Sequence, residues 1–508
     1  MLRAWSVEDV RAVERTRLAQ VPADALMLRA AAAIAATCAG ELRRTRGRVV
    51  GGRVVLLVGS GNNGGDALHA GARLAARGAR VDALLLSGRA HPGGLAALLA
   101  AGGRAVPVDG VPDGRARALA ADADLVLDGI VGLGGSAGLR DPAAALVGAL
   151  PGPTGTAARR PVVVAVDLPS GVDPATGATP GPHVVAAVTV SLGAATPGLL
   201  LPPASLAAGR LVGVDLGFEP LLGRPAVQRL GDGDLQRLWP APGPRDDKYR
   251  RGVVGVVAGS GEYMGAAVLA VGGALRSGAG MVRHLGPPAV QDQVRTHWPE
   301  AVTGPGRVQA WVLGPGVDPD EGAAQEHRIA EALGSGLPCV LDAGALALLE
   351  RRPALRGLLG VQHVLTPHAG EAARLLTALA GGPAVERARV EAEPLRHARV
   401  LAAAAGAHVL LKGAVTLVAG PPAQGGRVQP IRSQADAPPQ LATAGAGDVL
   451  AGMLGTLLAA GLHPLDAAAV AAAVHGRAAR TASAGGPLLA GDVAAALPAT
   501  LAHLLAGC

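Results

Sequence analysis

The chain has 508 residues, half of them apolar, and a formal net charge of +7 with a pI near 10.2. That length exceeds one ordinary core and predicts two or more domains, while the apolar content excludes disordered and collagen-like classes. One Phe, four Trp and two Tyr cannot build base-stacking platforms in number, and the basic residues are dispersed, so the charge reads as a solvated arginine-rich surface and not as a nucleic-acid interface.

Cys38, Cys339 and Cys508 are too few and too widely spaced for a disulfide framework or a metal knuckle, which suits a reducing compartment. Glu8 and Asp9 stand where a signal peptide would be apolar, and the longest uncharged stretch, near 184–209, is broken by Pro197, Pro202 and Pro203. The expectation is a soluble cytoplasmic protein with no membrane partner.

Ser6 and Asp9 mark a helix start, predicting a first helix over 7–20 and a second, apolar one over 25–38. Strands and helices then alternate. Strand Arg53–Val58 is followed by a helix over 65–77, a strand over 81–86, a helix over 94–101, and strands over 124–128, 161–166 and 184–190. Near-continuous apolar strands between helices predict a doubly wound α/β domain with a parallel sheet. Ligands of such sheets sit at the carboxyl ends of the strands. Three polar, Gly-rich segments fall there: Asn62-Asn63-Gly64-Gly65-Asp66, the run from Asp128 to Gly135, and Asp167-Leu168-Pro169-Ser170-Gly171.

The cluster Pro240-Ala241-Pro242-Gly243-Pro244 marks a boundary, giving domains 1–222 and 245–508 with a linker over 223–244. The second α/β domain runs through strand Val253–Val257, a helix over 265–277, a strand over 280–284, strand Ala310–Leu313, a helix over 323–333, strands over 339–342 and 363–365, strand His408–Leu411, and helices over 449–459 and 465–482.

The strongest chemical signal is Gly445-Ala446-Gly447-Asp448. Small residues at a helix start let backbone N–H groups approach a phosphoryl group, and the helix dipole favours its charge. Asp448 there is placed to take a proton from an attacking hydroxyl. Lysine occurs only at Lys248 and Lys412, so a lysine kept at a strand end in a chain that otherwise uses arginine is a candidate for a chemical role. Asn62 and Asn63, the only asparagines, carry the same weight.

With Gly259-Ser260-Gly261, Gly314-Pro315-Gly316 and Thr366-Pro367-His368-Ala369-Gly370-Glu371 added, the second half resembles the ribokinase-like family, in its NAD(P)H-hydrate dehydratase branch. The first half, through 62–66, Asp128 and 167–171, resembles the NAD(P)H-hydrate epimerases. The fold implied is a Rossmann-like doubly wound sheet followed by a ribokinase-like α/β sheet. The resemblance implies small-molecule substrates, hydrated NADH or NADPH and ADP, and a homo-oligomer.

For the epimerase, the resemblance puts K+ on Asn63, Asp128 and Ser170. It puts substrate on Asn62, Asn63, Gly64, Gly65, Asp66, Gly132, Leu133, Gly134, Gly135, Ser136, Ala137, Gly138 and Asp167, with Asp128 or Asp167 transferring the proton. For the dehydratase, it puts hydrate on Ala266, Gly316, His368 and Asp448, with Asp448 as base. Nucleotide falls on Lys412, Gly413, Ala414, Val415, Thr416 and Gly447, with Mg2+ neutralising phosphate charge. The sequence departs from the dehydratase pattern at Gly344, where an acid is common, and at Ala446, often threonine; the stretch after Asp128 lacks the aromatic of many epimerases. Two other readings stay open: a small-molecule kinase of the same fold, and an RNA-linked first domain.

Overall fold

The computed structural model describes the whole chain except residues 23, 109–113, 136, 151–159, 321–322, 382, 424–428 and 507–508. By contacts the chain divides into two units, 3–227 and 228–508, the second also taking 1–2.

The N-terminal unit opens with helix α1 (Val7–Leu18), whose first turn Ser6 caps by accepting a hydrogen bond from the Asp9 amide at 3.1 Å. Helix α2 (Ala25–Arg46) runs eight residues past the predicted end. Charges cluster from Glu41 on, yet Leu42 continues the buried stripe of Ala31, Ile34, Ala35 and Cys38, and Gly47 supplies the left-handed stop at φ 75°. Among the described residues it is the one helix long and apolar enough to cross a bilayer, and that stripe is packed in the core of this unit.

Seven strands follow: β1 (Arg53–Val58), β2 (Arg80–Leu85), β3 (Arg104–Pro107), β4 (Leu125–Gly129), β5 (Val162–Val166), β6 (Val188–Leu192) and β7 (Arg210–Val214). All pair in parallel in the order β3-β2-β1-β4-β5-β6-β7, the Rossmann arrangement with one strand added. Strands β3 and β7, at the two edges, were not foreseen: each mixes exposed and half-buried residues instead of the buried apolar run that marks a central strand. Helix α3 (Asn62–Ala75) begins three residues earlier than predicted, so both asparagines lie in its first turn.

In the C-terminal unit, strands β8 (Val227–Arg229), β9 (Val253–Val257), β10 (Met281–Leu285), β11 (Val302–Thr303), β12 (Ala310–Leu313), β13 (Cys339–Leu341), β14 (Val364–Leu365), β15 (His408–Leu411), β16 (Thr416–Ala419) and β17 (Ile431–Gln434) run in the order β8-β17-β16-β15-β14-β13-β12-β9-β10-β11. Strands β9 to β15 pair in parallel, and β16 returns antiparallel beside β15. The parallel run therefore stops at Lys412, which begins a hairpin instead of a crossover.

The core of this unit is helix α6 (Ala446–Ala459), buried along almost its whole length and packed on α4 (Met264–Arg276). The two backbones approach so closely that a Cβ at Gly452 would stand 2.0 Å from the Ala270 carbonyl oxygen, and one at Gly273 2.4 Å from that of Val449. Helix α5 (Ala369–Ala380) follows β14, and α7 (Pro464–Ser483) and α8 (Ala490–Leu505) close the core. Cys38 and Cys339 are free and buried, and burial pushes each thiol up to about 12; Cys508 lies outside the described residues.

Candidate active sites

In the N-terminal unit the carboxyl ends of β1, β4 and β5 border a cavity of about 480 Å³. Asn62, Asn63 and Asp66 from the start of α3, Gly132, Leu133, Gly134 and Gly135 after β4, and Asp167 after β5 form its walls. Helix α1 adds Arg11 and Glu14, which no motif marked. Glu14 could have been found from its spacing: it stands four residues after Val10, one of the two buried residues of α1.

The Asn63 amide nitrogen donates to the Val166 carbonyl at 2.9 Å, which fixes the side chain between β1 and β5. A Cβ at Gly132 would stand 2.4 Å from the Asn63 side-chain oxygen, so glycine there is what lets the loop after β4 close over the amide. Gly64 and Gly65 serve packing. A Cβ at Gly64 would meet the Gly59 carbonyl at 2.2 Å, and one at Gly65 would meet His91 and Met27 at 3.0 Å. Ala137 and Gly138 stand outside the cavity wall, Gly138 donating its N–H to Gly171 at 3.1 Å; Ser136 lies outside the described residues.

The two candidate proton carriers separate. Asp128 is fully buried and held: Ser170 donates its hydroxyl at 2.6 Å and its amide at 2.8 Å, and the Ile130 amide donates at 3.2 Å. Burial still pushes its carboxyl up to about 6. Asp167 faces the cavity with φ 67°, a left-handed conformation uncommon outside glycine, and burial with the nearby Glu14 charge pushes it up to about 7 against the pull of the Leu192 amide. Asp66 is pushed higher, to about 8, by burial and then by Asp167 and Glu14. Its Oδ1 is buried without a hydrogen-bond partner.

In the C-terminal unit Gly445, at φ 84°, turns the chain into α6, which starts at Ala446, three residues earlier than predicted. Asp448 thus lies in the first turn, where free N–H groups collect. A Cβ at Gly447 would stand 3.4 Å from Lys412 Nζ and 3.5 Å from Asp342 Oδ2. Lys412 Nζ lies 2.7 Å from Asp342 Oδ1 and 3.9 Å from Glu371 Oε2, and Thr366 donates its hydroxyl to Asp342 at 2.8 Å. Burial lowers the Lys412 pKa, but Asp342 and Glu371 outweigh it and hold the ammonium above its usual range. Burial, then the Asp342 charge, push Asp448 up to about 7 against the pull of Lys412.

Asp342 was given no role from the sequence, although an acid at the carboxyl end of a parallel strand is the placement that marked Asp128 and Asp167. Gly344, where an acid is common in the dehydratases, is buried: a Cβ there would meet the Val317 carbonyl at 2.1 Å, so no acid fits. His368 caps α5, its Nδ1 accepting from the Gly370 and Glu371 amides, and backbone pairing sets it beside Lys412. Gly413 and Ala414 are exposed at the hairpin, while Val415 is buried and Thr416 opens β16. Ala266 and Gly316 meet each other, a Cβ at Gly316 coming within 2.6 Å of the Ala266 methyl. Beneath the start of α6, His475 hydrogen-bonds the Ala446 backbone, and burial drives its pKa down to about 4. Among the described residues no three His, Cys, Asp or Glu side chains form a metal-holding group.

Two family profiles match. One described as NAD(P)H-hydrate dehydratase covers residues 254–499, and one described as YjeF-related protein N-terminus covers 23–198. The bifunctional NAD(P)H-hydrate repair enzyme of Mycobacterium tuberculosis is 46% identical over 92% of this chain and 92% of its own. This chain belongs to the bifunctional NAD(P)H-hydrate repair enzyme family. The repair enzyme of Mycobacterium leprae is 43% identical over 99% of this chain and 98% of its own. Among solved structures, the ADP/ATP-dependent NAD(P)H-hydrate dehydratase of Bacillus subtilis overlaps 55% of this chain and 99% of its own, with 24% identity and a TM-score of 0.46.

Proposed function

We propose that this chain repairs hydrated NAD(P)H: residues 1–222 interconvert the R and S epimers, and residues 245–508, joined to them through 223–244, dehydrate the S form to NAD(P)H with ADP, giving AMP and phosphate. The observation that carries the reading is the 46% identity to a bifunctional repair enzyme over 92% of both chains. The site geometry supports it, since each unit sets a raised carboxyl in its site, Asp167 after β5 and Asp448 in the first turn of α6. We also expect a cytoplasmic homo-oligomer.

In the first unit Asp167, and not Asp128, is the proton carrier, because only Asp167 faces the cavity and both oxygens of Asp128 already accept hydrogen bonds. Asn63, Asp128 and Ser170 fit K+: amide, carboxylate and hydroxyl oxygens suit a hard monovalent cation, and the Val166 bond to the Asn63 nitrogen leaves the Asn63 oxygen for it. The ion would supply positive charge beside the substrate. Asn62 and the loop of Gly132 to Gly135 then hold the nucleotide.

In the second unit Asp448 takes the proton of the ring hydroxyl, which attacks the transferring phosphoryl group. The N–H groups at the start of α6 and the Lys412 ammonium face the charge that spreads over the phosphoryl oxygens. Phosphate then leaves where hydroxide could not. His368, Ala266 and Gly316 bound the hydrate, and the hairpin over 412–416 with Gly447 bounds the nucleotide. Mg2+ fits as an ion held largely by nucleotide phosphates with one or two carboxylates, Asp448 and Asp342 being at hand, and would neutralise phosphate charge. Product analysis tests the reading: restored NAD(P)H with free phosphate supports it, and a stable phosphorylated product would replace it with a small-molecule kinase.

A further inference from the structure

The epimerase cavity holds an acid that the reading above leaves without chemistry. Asp66 borders the cavity while only 6% exposed, and its Oδ1 is buried without a hydrogen-bond partner. An unpaired buried carboxyl oxygen is costly and wants an explanation in function. The charged groups around it are Asp167 after β5, and Glu14 and Arg11 on α1, the latter donating to the Leu133 carbonyl.

We propose that Asp66 is a second catalytic carboxyl of the epimerase site, giving a proton to the substrate while Asp167 takes one, and exchanging roles with it for the opposite epimer. The inference rests on the epimerase reading. In the step, the Asp66 acid protonates the C6 hydroxyl; the C6–O bond breaks, its electron pair leaving with water, and the N1 lone pair forms the N1=C6 bond. Water adds to the other face of C6, the N1=C6 pair returns to N1, and the Asp167 carboxylate takes the released proton. One proton has moved from Asp66 to Asp167, no electrons are lost, and the product differs only in configuration.

The reverse reaction needs the two groups interchanged, by microscopic reversibility, so an epimerase of this kind needs two acids of nearly matched strength. Burial, then the charges of Asp167 and Glu14, bring Asp66 to about 8, and burial with Glu14 brings Asp167 to about 7, close to each other and to neutral pH. Glu14 raises both, which assigns it a positioning part through charge.

The test follows consumption of purified R hydrate by the full chain with excess ADP and Mg2+. Asp66→Asn should lower kcat for the R form by roughly 100-fold or more, the usual weight of a positioned acid, with KM within about threefold and S-form dehydration unchanged. Asp66→Glu, which keeps a carboxyl, should recover about tenfold over Asp66→Asn. An Asp66→Asn enzyme within about threefold of wild type, a rise in KM alone, or an Asp66→Glu no better than Asp66→Asn overturns the assignment. If wild type consumes S but never R, the epimerase reading itself falls, and the role of Asp66 with it.

Discussion

Lys412 Nζ lies 2.7 Å from Asp342 Oδ1, under the first turn of the helix that carries Asp448. The pair puts a fixed cation beside Gly447 while Asp342 and Asp448, both acids, flank it. Removing the acid leaves a half-buried ammonium with Glu371 at 3.9 Å as its remaining ion-pair partner. Asp342→Ala should destabilise the C-terminal unit by about 3 kcal/mol, the cost of breaking a buried pair, measured by denaturant titration, and should impair dehydration without slowing epimerisation. A loss below about 0.5 kcal/mol, the range of ordinary surface changes, would mean the pair is not coupled.

Asp448 as base gives a pH signature. Its carboxyl, near 7 in the folded protein, must be ionised to accept a proton, so dehydration at saturating ADP should rise with pH through about 7 and level off above. Lys412→Gln removes the charge that holds that value down, so the rise should move to higher pH. A profile that stays put on this substitution would detach Lys412 from the base.

Gly132 makes a sharper steric prediction. A Cβ there would come 2.4 Å from the Asn63 oxygen, and the amide is held from behind by Val166. Gly132→Ala should therefore lower epimerase activity by at least about tenfold and reduce the thermal stabilisation expected of K+ at the proposed site of Asn63, Asp128 and Ser170, with dehydration unchanged. Substituting Na+ for K+ should have no further effect on that variant.

Stability against acid rests on imidazoles. His363, His408 and His475 are driven by burial to about 4, well below an exposed histidine, and His284 is shifted the same way. Between about 4 and 6.5 the unfolded chain binds more protons at these sites, so their contribution to stability is present above 6.5 and lost as pH falls to about 4. Asp448, raised to about 7, acts oppositely over much of that window, as one carboxyl against several imidazoles. Urea midpoints of the C-terminal unit should fall between pH 6.5 and 4, less steeply in His475→Gln, and an unchanged slope in that variant would show that its burial is not costly to protonation.

The central strands were legible because each is an uninterrupted apolar run, as in Arg53–Val58 and Val253–Val257. Edge strands Arg104–Pro107 and Arg210–Val214 escaped, since half-exposed residues blur that pattern. The residues read as loops at Asn62 and Ala446 turned out to open helices, because small and polar residues at a helix start look like a turn until tertiary contacts decide. Motifs led to Asn63, Asp167, Lys412 and Asp448. They did not lead to Asp342, which shares the strand-end placement of Asp128 and Asp167 but has its partner in a lysine 70 residues away, or to Glu14, which reaches the cavity from a helix with no motif.

The most direct measurement gives the full chain an equal mixture of R and S hydrated NADH with excess ADP and Mg2+ and follows the return of NADH absorbance. Two working sites predict recovery of all the hydrate in one enzymatic course; a halt at half the hydrate, or no recovery, would contradict the account.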